Sequence, residues 1–556
     1  MGGADLLLVN ADVRTMDGAR PRARAIAVKD GLIVHVGDGP GGWAGPRTEV
    51  VDLAGRTLLP GINDAHAHAC GHAAGRPPYV MSLVYPEVRS IADVLARVAE
   101  AVRRTPEGEW IRGTGWDAGY LEEGRLPHRA DLDAVAPYHP VLLQDFSGHR
   151  TWANSLAFEL AGIDGPVTDG VVVDGAGLPT GLLDNAAQEL LQRAVPLPTF
   201  AERRELVRAA VAIMHREGVT SFTEPGLGPG GERLFFGALG EATLDAYASL
   251  AREGELRARV SVLALPSGMS GASVPDLKGY LSARDPLEDV DPRLLNVLGV
   301  KIFADGIPPA RTAWMHEEYP EGGHGGLCVR GASDAARGEE LAEMVRLAHQ
   351  AGLQVGVHVV GDRGIDEVVR ALAAAVAGDP RPDARHYVIH GQYVSPAALT
   401  RLAALGFGLN IQPRLQALVA EQTRELFGDE LTEREWPAAS ALAAGVNVTS
   451  SSDCPVTPPD WRAGLAALLT RRAEASGRVA GEAERLTLDQ ALRTYTVNGA
   501  WQDFAESWKG SLTPGKVADL CVVDAALGEV PPAEVAAVPV AMTVFGGQVV
   551  HTRLSG

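Results

Sequence analysis

Short apolar runs broken by turn residues open the chain: DLLLVNADVRTM from Asp5, AIAVKDGLIVHVGD with Asp30-Gly31 inside it, and TEVVDLAGRTLLP ending at Pro60. Runs of this length bounded by Gly, Asp and Asn predict strands, and Asp-Gly between two of them predicts a hairpin. The far end repeats the style, with VADLCVVD at 517–524 and PVAMTVFGGQVVHT at 539–552 folding about Gly546-Gly547. Unpaired strand edges invite aggregation, so residues 1–57 and 509–556 are expected to pair into one β-sandwich.

Between these ends the pattern changes to apolar runs alternating with helical stretches, the signature of βα units around a parallel sheet. Eight runs stand out: 58–66, 219–225, 257–266, 295–305, 353–360, 386–391, 407–413 and 446–453. Several are apolar on both faces, as buried parallel strands are, and eight of them predict an α/β fold, a closed (β/α)8 TIM barrel over 58–508. The intervening helices include 201–218 and 338–352, each with helical apolar spacing and Gly at the exit. The gap between the first and second runs far exceeds the roughly 2–6 residues of an ordinary βα loop. Residues 76–200 are therefore expected to form an inserted cap subdomain after strand one, with a helix at 91–104, a strand at 141–147 and an aromatic turn at 109–120. An insertion after a barrel strand's C-terminal end is expected over the mouth where chemistry is done.

Composition narrows the class of partner. The 556 residues carry 50 Lys+Arg against 70 Asp+Glu, a net charge of −20. That balance argues against nucleic acid or an anionic membrane as partner and favours a small molecule. The four cysteines, Cys70, Cys328, Cys454 and Cys521, form no C-x-x-C pair, which indicates neither a disulfide framework nor a thiolate zinc finger. The opening residues lack a basic n-region with a sustained apolar stretch, and nowhere do about 18 apolar residues run together. A cytoplasmic location is expected.

Candidate chemistry clusters at the ends of the expected strands. His66 and His68 close the first run, and residues two apart on an extended chain face the same way, so both imidazoles can reach one metal. His358, His390 and Asp453 end later runs, where side chains of a barrel converge. Any one of them alone reads equally as a hydrogen-bonded core histidine or a turn-capping aspartate; their recurrence at one rim favours metal binding. Lys301 lies inside the apolar run LNVLGVKIFAD, where an unpaired ammonium is costly to desolvate. It reads either as an ion pair with Asp305 or another carboxylate, or as an amine that has taken up carbon dioxide to become a carbamate ligand.

The landmarks LLPGINDAHAH (58–68), GTGWD (113–117), GHRTWANSLAFELAGI (148–163), VKIFADG (300–306), HVVGDRG (358–364), VIHGQ (388–392), SSDCPV (451–456), LTLDQALRTYTVNGA (486–500) and KGSLTPGKVADLCVVD (509–524) run through nearly the whole chain. Together they resemble the metal-dependent amidohydrolase superfamily, in its amidohydrolase 3 group of YtcJ-like and N-substituted formamide deformylase-like proteins. The resemblance implies a barrel hydrolase with a flanking sandwich and one or two divalent metals, usually Zn2+. Carried over by position, His66 and His68 would hold the more buried metal. Lys301, N-carboxylated by carbon dioxide, would bridge, His358 and His390 would hold the second metal, and Asp453 would be ligand and catalytic proton handler. The sequence departs from the commoner pattern at Ile307-Pro308-Pro309-Ala310-Arg311-Thr312, which replaces a Ser/Gly-rich turn.

The reaction implied is hydrolysis of a non-peptide carbon–nitrogen bond, an N-substituted formamide or another small amide with an apolar or aromatic substituent. Alternatives on the same scaffold are a cyclic-amide hydrolase, an isomerase, a decarboxylase, or a non-catalytic ligand-binding or regulatory protein. For substrate contact the candidates are Trp116, His149, Arg311 and Trp314, with Trp152, Asn154 and Asp117 beside them; each reads equally as a packed or ion-paired residue. Cys70 and Cys454 read as core, and His72 and His324 as exposed loop histidines. The external sandwich and the cap offer surface for a homodimer.

Overall fold

In the computed structural model, which describes residues 3–146, 150–163, 170–184 and 187–554, eight parallel strands lie in one sheet. They are β1 (Ile62–Asp64), β2 (Val219–Glu224), β3 (Arg259–Ala264), β4 (Leu295–Phe303), β5 (Gln354–Val359), β6 (Tyr387–His390), β7 (Gly408–Ile411) and β8 (Asn447–Ser450). The order follows the chain from β1 to β8. The two ends approach each other: Ala65 N–H donates to Ser450 C=O at 3.3 Å, and Ser452 N–H donates to the Asp64 carboxylate at 2.9 Å. The result is a nearly closed barrel. Strands β2, β3, β5, β6 and β7 are buried at every position, which is why both of their faces read as apolar in the sequence. The outer helices include Phe200–Arg216, Asp334–Gln350 and Asp362–Gly378.

Two further sheets come from both ends of the chain. One has four strands, Leu32–Gly37, Ala25–Lys29, Leu6–Val9 and Glu49–Asp52; the other has six, among them Val540–Phe545, Leu520–Val523 and Thr57–Pro60. They share a core that includes Leu8, Ile26, Val28, Leu58, Val522 and Val544. The single run expected over 58–66 is divided between sheets. Pro60 pairs antiparallel with Leu520 in the six-stranded sheet, while Ile62 pairs parallel with Val219 in the barrel. Gly61 stands at the division, where a Cβ would lie 2.1 Å from Thr220 Oγ1; no larger residue fits there. An apolar run carries no mark of such a change of partner.

The chain separates into two units, one of Met1–Ala69, Val207–Glu232 and Leu239–Gly556, and one of Cys70–Leu206 and Arg233–Ala238. The second contains most of the expected insertion 76–200. It holds a six-stranded mixed sheet and the helix Ile91–Val102, which Ser90 caps by accepting from Asp93 N–H. Residues 109–120 were expected as an aromatic turn, but Ile111–Trp116 is a strand paired parallel with Val141–Asp145. The glycines of IRGTGW disguise it: Gly113 is flanked by Leu143 and Leu83 at distances that leave no room for a Cβ. None of the described helices is long and apolar enough to cross a membrane.

Candidate metal centre

The C-terminal ends of the barrel strands bring the predicted ligands together. His66 and His68 follow β1, Lys301 lies in β4, His358 in β5, His390 ends β6, and Asp453 follows β8. Asp453 Oδ1 is 3.3 Å from His66 Nε2 and 3.7 Å from His68 Nε2, and Lys301 Nζ is 3.5 Å from His66 Nε2. The rings of His66 and His390 are 5.6 Å apart and those of His358 and His390 are 4.5 Å apart. Backbone bonds lock β1 to β8 at this point, from Asp453 N–H to His66 C=O at 2.9 Å and from His68 N–H to Cys454 C=O at 2.8 Å. His390 and Asp453 both have positive φ, 72° and 54°, a conformation that non-glycine residues adopt rarely and that concentrates at functional sites.

His66, His390 and Asp453 each offer a ligand atom within 4.8 Å of the others, a donor set that fits a divalent cation. Hydrogen bonds set two of the imidazole tautomers. The Glu224 carboxylate, 3.2 Å from His68 Nδ1, can only accept, so Nδ1 carries the proton and Nε2 keeps its lone pair. Gln412 Oε1 lies 2.7 Å from His390 Nδ1 while its Nε2 donates to Asn410 Oδ1 and Ser451 Oγ. His390 Nδ1 is therefore the donor and its Nε2 is the free lone pair. Burial, reinforced by the charge of Lys301 and by neighbouring imidazoles, holds His66, His68 and His358 well below the usual histidine range, and burial brings His390 down to about 4. All four are neutral at pH 7, the state a metal ligand needs.

Lys301 is 1% exposed, and burial pushes its amine down to about 7. Of the two readings of Lys301, the ion pair with Asp305 is not made. Asp305 turns its carboxylate to the backbone N–H groups of Trp314, Val360 and Gly361, each at 2.9 Å. Lys301 Nζ instead faces His66 and sits 4.7 Å from the centre of the Phe303 ring.

The residues considered for substrate contact are scattered. Trp116 is 1% exposed inside the core of the second unit, donating its indole N–H to Leu143 C=O. Trp152 packs edge-on against it, and Asn154 caps the helix Ser155–Leu160. His149 lies outside the described residues. Arg311 is exposed and paired with Glu321; Trp314 is buried under the Arg363 guanidinium, 4.4 Å from its ring centre. Cys70 and Cys454 are buried. His72, expected exposed in a loop, is instead buried in the helix Ala69–Ala74. His324 is partly exposed beside Glu318. Reading the sequence passed over Glu224 and Gln412. Both stand at a strand's C-terminal end, in SFTEP and NIQP, the same position that singled out His390.

Three comparisons with known proteins bear on this arrangement. The model of the amidohydrolase family matches residues 49–551. N-substituted formamide deformylase of Arthrobacter pascens is 30% identical over 535 residues, covering 94% of this chain and 93% of that protein. YtcJ of Bacillus subtilis is 27% identical over 552 residues, covering 97% and 98%. Among solved structures, an uncharacterized metal-dependent hydrolase from Pyrococcus horikoshii shares the fold at a TM-score of 0.73 with 22% identity, covering 98% of this chain and 100% of that one.

Proposed function

The chain belongs to the amidohydrolase family, and on that premise we propose that it hydrolyses the carbon–nitrogen bond of a small non-peptide amide with the help of a divalent cation. The observation that carries this reading is the gathering of His66, His390 and Asp453 within 4.8 Å, with neutral imidazoles and a buried lysine beside them. The residues that would hold the cation are His66, His68, Lys301, His358, His390 and Asp453, and zinc suits this mixture of nitrogen and oxygen donors. When bound, such a cation polarises a carbonyl and brings the pKa of a coordinated water to about 7.

The chain's own groups supply the rest. Asp453, its Oδ1 between His66 and His68, takes a proton from the attacking water and returns it to the departing amine, a positioned acid–base step worth about 10²–10⁴ in rate. Glu224 and Gln412 keep the proton on Nδ1 of His68 and His390, so both rings present Nε2. Lys301 has an amine lowered to about 7, so its lone pair is available near neutrality. Were its nitrogen to bond to the carbon of carbon dioxide, with one proton released to solvent, the resulting anionic carbamate would offer oxygen donors to a divalent cation. The 30% identity with an N-substituted formamide deformylase supports an N-substituted formamide or a related amide as substrate.

The test is to measure metal content of the purified protein, then assay a panel of formamides, other amides and lactams before chelation, after it, and after adding metal back. Loss and recovery of turnover, with products whose combined mass exceeds that of the substrate by one water, is the expected result. Turnover that survives complete metal removal overturns the reading.

A further inference from the structure

Resting on that reading of the rim, we infer that Asp305 is a positioning residue that fixes the turn Gly306–Trp314 against the metal centre, and that Ile307 in this turn selects amides with an apolar substituent. Asp305 is 1% exposed and makes no ion pair with any described residue. A carboxylate so placed is costly to desolvate unless its lone pairs are used. Here they gather two other segments of backbone: Oδ2 accepts from Trp314 N–H on the returning limb of the turn and from Gly361 N–H, and Oδ1 accepts from Val360 N–H, just after β5.

Small residues let these backbones approach. A Cβ on Gly361 would lie 2.2 Å from Trp314 C=O, one on Gly364 2.8 Å from Asp305 Oδ2, and one on Gly306 2.0 Å from Thr312 Oγ1. The motifs VKIFADG and HVVGDRG are thereby explained as two halves of one joint. The turn is also closed on itself: Ile307 N–H donates to Thr312 Oγ1 at 3.0 Å and Thr312 N–H to Ile307 C=O at 3.2 Å. Its near end touches the centre, since Gly306 C=O is 3.4 Å from His358 Nε2. The next residue along, about 3.8 Å away in Cα, is Ile307, 43% exposed and followed by Pro308 and Pro309. The nearest guanidinium in the turn, Arg311, is engaged by Glu321. An exposed isoleucine one residue from the carbonyl that meets His358 rewards an alkyl or aryl group and penalises a charged one.

Two sets of variants of the full-length, metal-loaded protein test this. Asp305→Asn keeps the shape but replaces one accepting oxygen with an amide that cannot accept. The expected result is hydrogen exchange at Trp314, Val360 and Gly361 faster by about tenfold or more, unchanged metal content, and a larger change in KM than in kcat. Thr312→Val, at an exposed position, loosens the turn without touching the buried carboxylate and should move exchange in the same direction by less. Ile307→Glu should shift the ratio of kcat/KM between alkyl or aryl amides and carboxylate-bearing amides by about tenfold or more, the scale of a lost apolar contact. Unchanged exchange in folded Asp305→Asn overturns the positioning role, and an unchanged ratio in Ile307→Glu overturns the selectivity role. If the unaltered protein turns over no amide at all, the functional reading fails separately. Exchange then still decides on Asp305, and binding of the same amides measured by calorimetry decides on Ile307.

Discussion

Two buried lysines, one at the rim of the barrel and one where the C-terminal segment meets β2, face opposite circumstances. Lys509 is 6% exposed and fully engaged: its Nζ donates to Asp503 Oδ2 at 2.6 Å and to Ser221 Oγ at 2.5 Å. Asp503 is completed by Asn63 and Thr223. Lys301 is more deeply buried yet forms no ion pair among the described residues; its nearest polar neighbour is an imidazole at 3.5 Å. One pair of buried histidines contrasts with His66. Away from the rim, Val355 N–H donates to His386 Nδ1, so His386 Nε2–H must donate to His349 Nδ1 at 2.8 Å, and His349 Nε2–H to Asp379 C=O at 2.7 Å. That chain is closed, whereas His66 Nδ1 at the rim has no partner. A buried cation with its carboxylate holds the fold; a buried amine without one, kept at a cost, marks a place where a ligand would belong.

The sharpest way to break this contrast is to make the same substitution at both lysines. Lys509→Met should cost about 3–5 kcal/mol of stability, because Asp503 is left buried without its cation, as read from denaturant unfolding. Lys301→Met in the metal-free protein should do the reverse. The folded-state pKa of Lys301, about 7, lies below its ordinary value of 10.5, so between these pH values the unfolded chain binds a proton that the folded chain does not. Folding therefore carries a penalty that is full below about pH 7, fades as pH rises, and is gone above 10.5. At about 1.4 kcal/mol per tenfold change in protonation, Lys301→Met should gain of order a few kcal/mol at pH 7, with the advantage shrinking by pH 10. A destabilised Lys301→Met at pH 7 would falsify the contrast.

A smaller effect is expected at Glu224. Glu224→Gln should weaken metal binding by about 10–100-fold, the usual cost of losing a carboxylate behind a ligating histidine, as measured by competition with a chelator. The smallest belongs to Arg311. Its pair with Glu321 is exposed, so Arg311→Ala should change stability by less than about 1 kcal/mol. A rise in KM without a change in melting temperature would instead place its guanidinium on the substrate.

Much of the barrel was legible because a strand buried on both faces must be apolar throughout and must stop at a polar or glycine turn; all eight strands lie inside the expected runs. The division of 58–66 at Gly61 was not, since both halves are equally apolar and only their partners differ. In the second unit, the glycines of IRGTGW imitate a turn, but Gly113 is there because Leu143 and Leu83 crowd it and Gly115 because its φ is +99° and Val84 packs against it. At the site, the ligand types announced themselves by position at strand ends. Glu224 and Gln412 obey the same rule, and were missed because a lone glutamate or glutamine before a proline signals no particular chemistry and only a histidine within reach gives it meaning. Asp305 misled in the other direction: four residues from Lys301, it looked like a partner, while its carboxylate was taken by backbone donors that the sequence does not advertise.

Periodicity and chain punctuation by themselves determined which segments are the barrel strands, and the residues at strand ends pointed to a candidate metal-binding rim. Only the tertiary structure decided which of two buried amines stands unpaired and which imidazole nitrogen faces inward. The reason is that solvation and proton placement depend on atoms brought near by closure of the barrel: His66 meets Asp453, and Lys509 meets Ser221 across 288 positions. No local pattern encodes a neighbour that distant.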